Sequence, residues 1–146
     1  MSKYQISFIH APEPNYADTQ NYGAQFMPVW AYTLASHISQ NDQYNIQLFD
    51  TRFQSKHSIK KSDIFLFSGM NQDCSSIQTV RAFLKKKYPD AITIIGGPIC
   101  WSFDQADALD QLNGFDHIFI GDAENYIAEL IKDISQNREV EYIIRA

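Results

Sequence analysis

The sequence predicts a doubly wound α/β domain on a five-stranded parallel sheet, and two observations predict it. Three short apolar runs, at residues 63–70, 91–98 and 115–124, recur at regular intervals, each ending abruptly in glycine or another small residue. Parallel strands buried on both faces read as such unbroken runs. Between and after them, apolar residues recur at helical spacing, so strands alternate with helices.

Taken in order, Ile6 to His10 reads as the first strand. A long loop follows, from Ala11 to about Gln25, with Pro12, Pro14 and Gly23; loops of that length are usually functional or disordered. Phe26, Trp30, Leu34 and Ile38 recur every four residues in a helix opened near Pro28, a position where proline is tolerated. Asn45 to Asp50 alternates like a half-exposed edge strand. After the strand ending at Ser68, one helical face is formed by Ile77, Val80, Leu84 and Tyr88, capped by Asp73, Ser75 or Ser76. Pro89-Asp90 stops it. Past Gly96-Gly97-Pro98, Ser102-Phe103-Asp104-Gln105 has the form of a capping box, with Ala106, Leu109 and Leu112 behind it. Ile127, Leu130, Ile131 and Ile134 take the positions of an amphipathic helix. Right-handed crossovers then give the flavodoxin-like strand order 2-1-3-4-5, with the switch point between the first and third strands. Residues 1–138 form the domain, and 139–146 read as a lead-in to further structure or a tail.

A chain of 146 residues is one domain by size, and it buries roughly two-thirds of its unfolded surface without staples. A hydrophobic fraction of 45% marks a packed core, and a net charge of −5 argues against nucleic acid, which needs a basic patch. The single basic run, Lys85-Lys86-Lys87, sits where it complements a helix C-terminus. Two cysteines, Cys74 and Cys100, make no disulfide framework. No apolar stretch has the length of a signal core or membrane span, so no membrane partner and a cytoplasmic setting are expected.

In an open α/β sheet the ligand crevice lies beyond the strand carboxyl ends. That rim gathers His10, Asp50, Ser68, Gly69, Met70, Gly96, Gly97, Pro98, Gly121, Asp122, Ala123 and Glu124. Glycines there permit close approach of a ligand to the backbone, and helix N-termini offer N–H groups to an anion. The repeated small endings and the long first loop point to a flat ligand spread over the rim.

The pattern resembles the cobalamin-binding domain at the amino terminus of many cobalamin-dependent radical S-adenosylmethionine enzymes, from Ile6 to about Ile134. The matching places are the Pro14-Asn15-Tyr16 loop after the first strand, the helix start from Pro28 to Ala35, the serine-bearing strand end followed by Gly96-Gly97-Pro98, and the closing Gly121-Asp122-Ala123-Glu124. The resemblance implies a corrin across the strand ends. Its nucleotide tail enters between strands, with Ser68, Gly69 and Met70 on one side and Gly96 and Gly97 on the other. Ser68 bonds the base or ribose. Ala11, Pro12, Pro98 and Ile99 touch the corrin periphery; Glu13, Gly121, Asp122 and Glu124 meet its amide side chains; and Tyr16 and Tyr22 offer contacts from the loop. Two departures qualify this. The cobalt-ligating D-x-H-x-x-G motif is absent, the first strand ending instead in His10-Ala11-Pro12-Glu13-Pro14, so His10 is placed at the rim without ligating cobalt. The Cys-x-x-x-Cys-x-x-Cys motif for an iron–sulfur cluster is also absent. That cluster and S-adenosylmethionine belong to a downstream radical domain or separate catalytic subunit, and this chain carries no catalytic residue of its own.

Four other readings compete. His10, Cys74 and Cys100 share zinc-type chemistry but no recognised spacing. A receiver-type signalling domain has the same strand order but needs paired acids after the first strand and an aspartate after the third, where this chain has His10-Ala11 and Ser68-Gly69. A flavodoxin-like or nucleotide-binding domain needs a phosphate loop that is absent. A degenerate cobalamin-fold domain that binds no cofactor and serves as an interaction module would lose its ligating motif in the same way, with Ile99, Trp101 and Phe103 available to cover a ligand or a partner.

Overall fold

The computed structural model describes residues 3–14, 28–38 and 42–146. Among these, six strands form one parallel sheet: β1 Tyr4–His10, β2 Tyr44–Asp50, β3 Ile64–Ser68, β4 Ile92–Gly96, β5 His117–Ile120 and β6 Ile143–Arg145, in the order β2-β1-β3-β4-β5-β6. The α-helices lying wholly within the described residues are α1 Val29–Ile38, α2 Cys74–Lys87, α3 Pro98–Gln105 and α4 Ile127–Ser135.

The central strands are mostly apolar because both faces are covered, with Thr93 the buried polar residue inside β4. Phe65, Phe67 and Ile95 point to a core shared with Ile77, Val80 and Leu84 of α2 and Ile99 of α3. Their neighbours Leu66, Ile94 and Phe119 point to the opposite core, shared with Ala31 of α1 and Ile127, Leu130 and Ile131 of α4. A fully buried Ile or Phe contributes about 1.5–3 kcal/mol over its exposed state, so these alternating rows fix which helix lies on which face. Strand β2 occupies one edge and is mostly half-buried, as its alternation predicts.

Local signals explain most element ends. Gly97 at the N-cap, with φ of 89°, followed by Pro98 in the first turn, starts α3. Lys85, Lys86 and Lys87 close α2, where they face the negative end of the helix dipole. Asp73 precedes α2 but does not cap it with its side chain; instead its carboxylate accepts the Met70 N–H at 2.9 Å and the Glu13 N–H at 2.9 Å.

Two expectations are corrected. Ser102 to Gln105 is the last turn of α3 rather than the start of a helix, and the chain leaves it through Asp107 at φ 53° into a 3-10 turn at Leu109–Leu112. The Gly-Pro signal upstream had already begun that helix. The sheet also has a sixth strand: Ile143–Arg145 pairs with Ile118 to Ile120. Arg145 anchors it through a two-point ion pair to Asp104, at 2.9 and 2.8 Å, and Ala146 N–H donates to the Ile120 carbonyl at 3.0 Å. No helix among the described residues is long and apolar enough to cross a membrane.

Candidate functional site

The strand carboxyl ends open into a cavity of about 220 Å³ on the α1/α4 side of the sheet. Its mouth is made where strands stop: Ser68 ends β3, Gly96, Gly97 and Pro98 turn from β4 into α3, and Gly121, Asp122, Ala123 and Glu124 lead from β5 toward α4. Its inner walls are largely apolar, with Leu66, Ile94 and Phe119 from the sheet, Trp30 and Leu34 from α1, and Ile127 and Leu130 from α4. An apolar cavity of about 150 Å³ accommodates benzene, whereas drug-sized ligands need about 300–1,000 Å³. This slot therefore has the size of one flat bicyclic group, while a larger ligand would rest on the rim outside it.

Two glycines shape the mouth differently. A Cβ on Gly97 would overlap Ser68 Oγ, and the residue's positive φ is itself restricted to glycine. A Cβ on Gly96 would meet only Phe119, at an ordinary 3.6 Å. Gly97 is thus required by the protein's own packing, whereas Gly96 leaves space that the chain itself does not fill.

The candidate residues from the sequence divide between the two faces. Ser68, Gly96, Gly97, Pro98, Gly121, Asp122 and Glu124 converge on the slot. Gly69 faces the other way, its missing side chain pointing at Ile77 and Asp73, and Met70 lies exposed at the crest. Ala11 and Ile99 are buried in the opposite core, so the structure places them as packing rather than rim contacts. The Pro12 carbonyl accepts from Ser76 Oγ at 3.2 Å. His10 is nearly buried, and its Nδ1 accepts the Trp30 indole N–H at 3.3 Å. Tyr16 and Tyr22 lie outside the described residues. The slot runs between the sheet and α1/α4, so Gly69 and Met70 do not form a wall opposite Gly96 as expected.

The anion expectation also changes at α3. Pro98 has no N–H, Ile99 N–H donates to the Gly69 carbonyl at 3.0 Å, and Cys100 N–H donates to the Gly97 carbonyl at 3.0 Å. The first turn is consumed by the protein itself, which leaves it without the open donors an anion needs. Elsewhere on the rim, Asp50 holds Arg52 at 2.7 Å. Burial pushes the Asp50 carboxyl up, but hydrogen bonds from the Arg52 side chain and backbone, with its charge, hold it below its ordinary value.

The two cysteines do not converge with His10. Cys100 is fully buried and burial pushes its thiol to about 12, while Cys74 lies near the Gln111 carbonyl. Among the described residues no group of three or more His, Cys, Asp or Glu is placed to hold a metal.

The fold is flavodoxin-like. The isolated REC domain of RcsB from Salmonella enterica serovar Typhimurium superposes with a TM-score of 0.59 at 9% identity, covering 99% of this chain and 93% of that one. The RcsB response regulator of Salmonella typhimurium, solved in a study of DNA interaction, gives 0.60 at 9% identity; the chain spans 64% of its length and 97% of this sequence is covered. RcsB dimers bound to DNA give 0.58 at 9% identity, over 95% of this chain and 63% of that one. No family model matches the chain, and no curated protein matches it. At such identity the likeness concerns the path of the backbone, and function has to be argued from the site. At the positions where a receiver needs its acids, β1 ends in His10 and β3 ends in Ser68.

The signal that could have located the inner walls was the phase of the strands. Leu66 and Ile94 sit side by side in the β3/β4 register and share a face with Phe119. Periodicity assigns such residues to a face but does not distinguish a filled core from a lined slot.

Proposed function

We propose that this chain is a cobalamin-binding domain whose slot receives the nucleotide tail of the corrinoid. One observation carries the reading: an apolar slot of bicyclic size opens at the strand carboxyl ends, beside Ser68 and under the bare Cα of Gly96. The donor set fits the group. Hydrocarbon from Leu66, Ile94 and Leu130 would hold a planar base, and Ser68 and the backbone of Gly96 and Gly97 would meet the ribose or base edge at the mouth. Asp122 and Glu124 would accept from the amide side chains of the corrin. Bound there, the corrinoid would supply a cobalt centre able to carry an alkyl group, for a radical S-adenosylmethionine domain or separate subunit that this sequence does not include. Exposed Met70, Trp101 and Tyr126 at the crest support such a covering partner, because large apolar side chains left in water commonly mark interaction surfaces. The same reading places the protein in the cytoplasm, where its two free cysteines stay reduced.

The test is direct. The purified chain is mixed with hydroxocobalamin, desalted, and its absorption spectrum recorded. A corrin spectrum travelling with the protein at stoichiometric level supports the reading. A colourless protein fraction overturns it and leaves the interaction-module reading, in which the same crest receives only a protein.

A further inference from the structure

We infer that the slot selects the chemistry of the tail, taking a bicyclic base whose inner edge carries no hydrogen-bonding group, such as dimethylbenzimidazole, over an adenine of similar size. This rests on the cobalamin reading. The open polar groups of the slot belong to its mouth: Ser68 ends its strand, and Asp122 and Glu124 follow β5, while the indole N–H of Trp30 on the wall is donated to His10 Nδ1 at 3.3 Å. The inner end is formed by Leu34, Leu66, Ile94, Phe119 and Leu130, none of which has a side-chain donor or acceptor.

The backbone of these walls is engaged in the sheet and the helices, and the Phe119 carbonyl lies beside Gly96 at the mouth. Leu66 and Ile94 are paired with each other inside the parallel β3/β4 ladder, and the helix residues Leu34 and Leu130 sit within α1 and α4. A dimethylbenzimidazole presents two methyl groups to these walls and gains from their burial. An adenine presents an exocyclic amine and ring nitrogens, which would leave water without partners. Burying such a group unpaired is unfavourable. Hydrophobic pockets discriminate against an added polar group by about 100-fold at most. The mouth and the inner wall therefore divide the work, the first reading what every corrinoid tail shares and the second reading what distinguishes tails.

The test titrates the full chain with three corrinoids that differ only in the tail: cobalamin, the adenine-tailed corrinoid, and tail-less cobinamide. Affinities are read from the change in corrin absorbance. Cobalamin should bind about 10- to 100-fold more tightly than the adenine-tailed form, and more tightly than cobinamide. Equal affinity for the two tailed forms would overturn the selectivity while leaving the cobalamin reading in place. Cobinamide binding as tightly as cobalamin would overturn it too, since the slot would then hold no tail. Failure to bind any of the three would overturn the reading and the selectivity together.

Discussion

Gly97 packs so closely on Ser68 that a Cβ at position 97 would overlap Ser68 Oγ and stand 3.3 Å from Ser68 Cβ. Backbone conformation compounds the contact, since Gly97 holds φ at 89°. With ψ at −165° this is a conformation essentially confined to glycine, costing a side chain about 1–3 kcal/mol, and overpacking adds about 1–3 kcal/mol. Gly97→Ala should therefore destabilise the fold by about 2–6 kcal/mol in urea denaturation. In a Ser68→Ala background the loss should shrink by about 1 kcal/mol, the coupling expected of touching residues. Strictly additive effects would mean the two are not in contact.

Gly96 separates ligand space from folding. Its missing Cβ faces open volume bounded by Phe119 at 3.6 Å. Gly96→Leu should keep a near wild-type denaturation midpoint while its side chain occupies the slot, and cobalamin retention should fall by at least about tenfold, since the volume remaining no longer admits a bicyclic base. Unchanged retention in a folded variant would exclude this slot as the site of the tail.

Asp73 is the pin between the loop after β1 and the turn after β3. Its nearly buried carboxylate accepts the Met70 and Glu13 N–H groups. Asp73→Ala removes the acceptor of two donors, each loss worth about 1–3 kcal/mol when the donor stays buried. Hydrogen exchange at the Met70 and Glu13 amides should accelerate more than at Leu66 in the sheet. Uniform acceleration would show a global effect instead.

Asp116 should shape the acid limb of stability. Burial pushes its carboxyl up, but the Thr93 N–H at 2.8 Å and Lys85 at 3.0 Å outweigh this and hold it below its ordinary value. A depressed folded value stabilises the protein above the unfolded value of about 3.9, and that stabilisation is lost as pH falls through the folded value. Asp116→Asn should thus be destabilising at pH 7, by about 1 kcal/mol given its partial exposure. The two proteins should converge in stability below about pH 4. A difference constant across that range would remove Asp116 from the acid response.

The sequence made the sheet legible because β3, β4 and β5 are buried on both faces. Their residues have to be apolar in succession, and Gly96 and Gly121 punctuate the ends. It made β6 illegible because Ile143–Arg145 is only three residues long and partly exposed; pairing with β5 and the Arg145–Asp104 ion pair hold it in place. The pattern from Ser102 to Gln105 misled because a serine three residues before a glutamine marks a helix start only when no earlier signal has begun one, and Pro98 had. At the site, the mouth was readable from small residues at strand ends. Its walls were not, because Leu66, Ile94 and Leu130 have the same hydrophobicity and spacing whether they meet each other or enclose a space. Ala11 and Ile99 failed in the opposite sense, lying near the rim in sequence but turned into the α2/α3 core.

Methyl-resolved NMR during titration with hydroxocobalamin tests the central claim most directly, because leucine and isoleucine methyls line both faces of the sheet. Binding of the tail in the slot predicts saturable shifts concentrated on Leu34, Leu66, Ile94, Ile127 and Leu130, with Ile77, Leu84 and Ile99 on the opposite face unmoved. Spectra that stay unchanged at millimolar ligand, or shifts centred on the α2/α3 core, would contradict it.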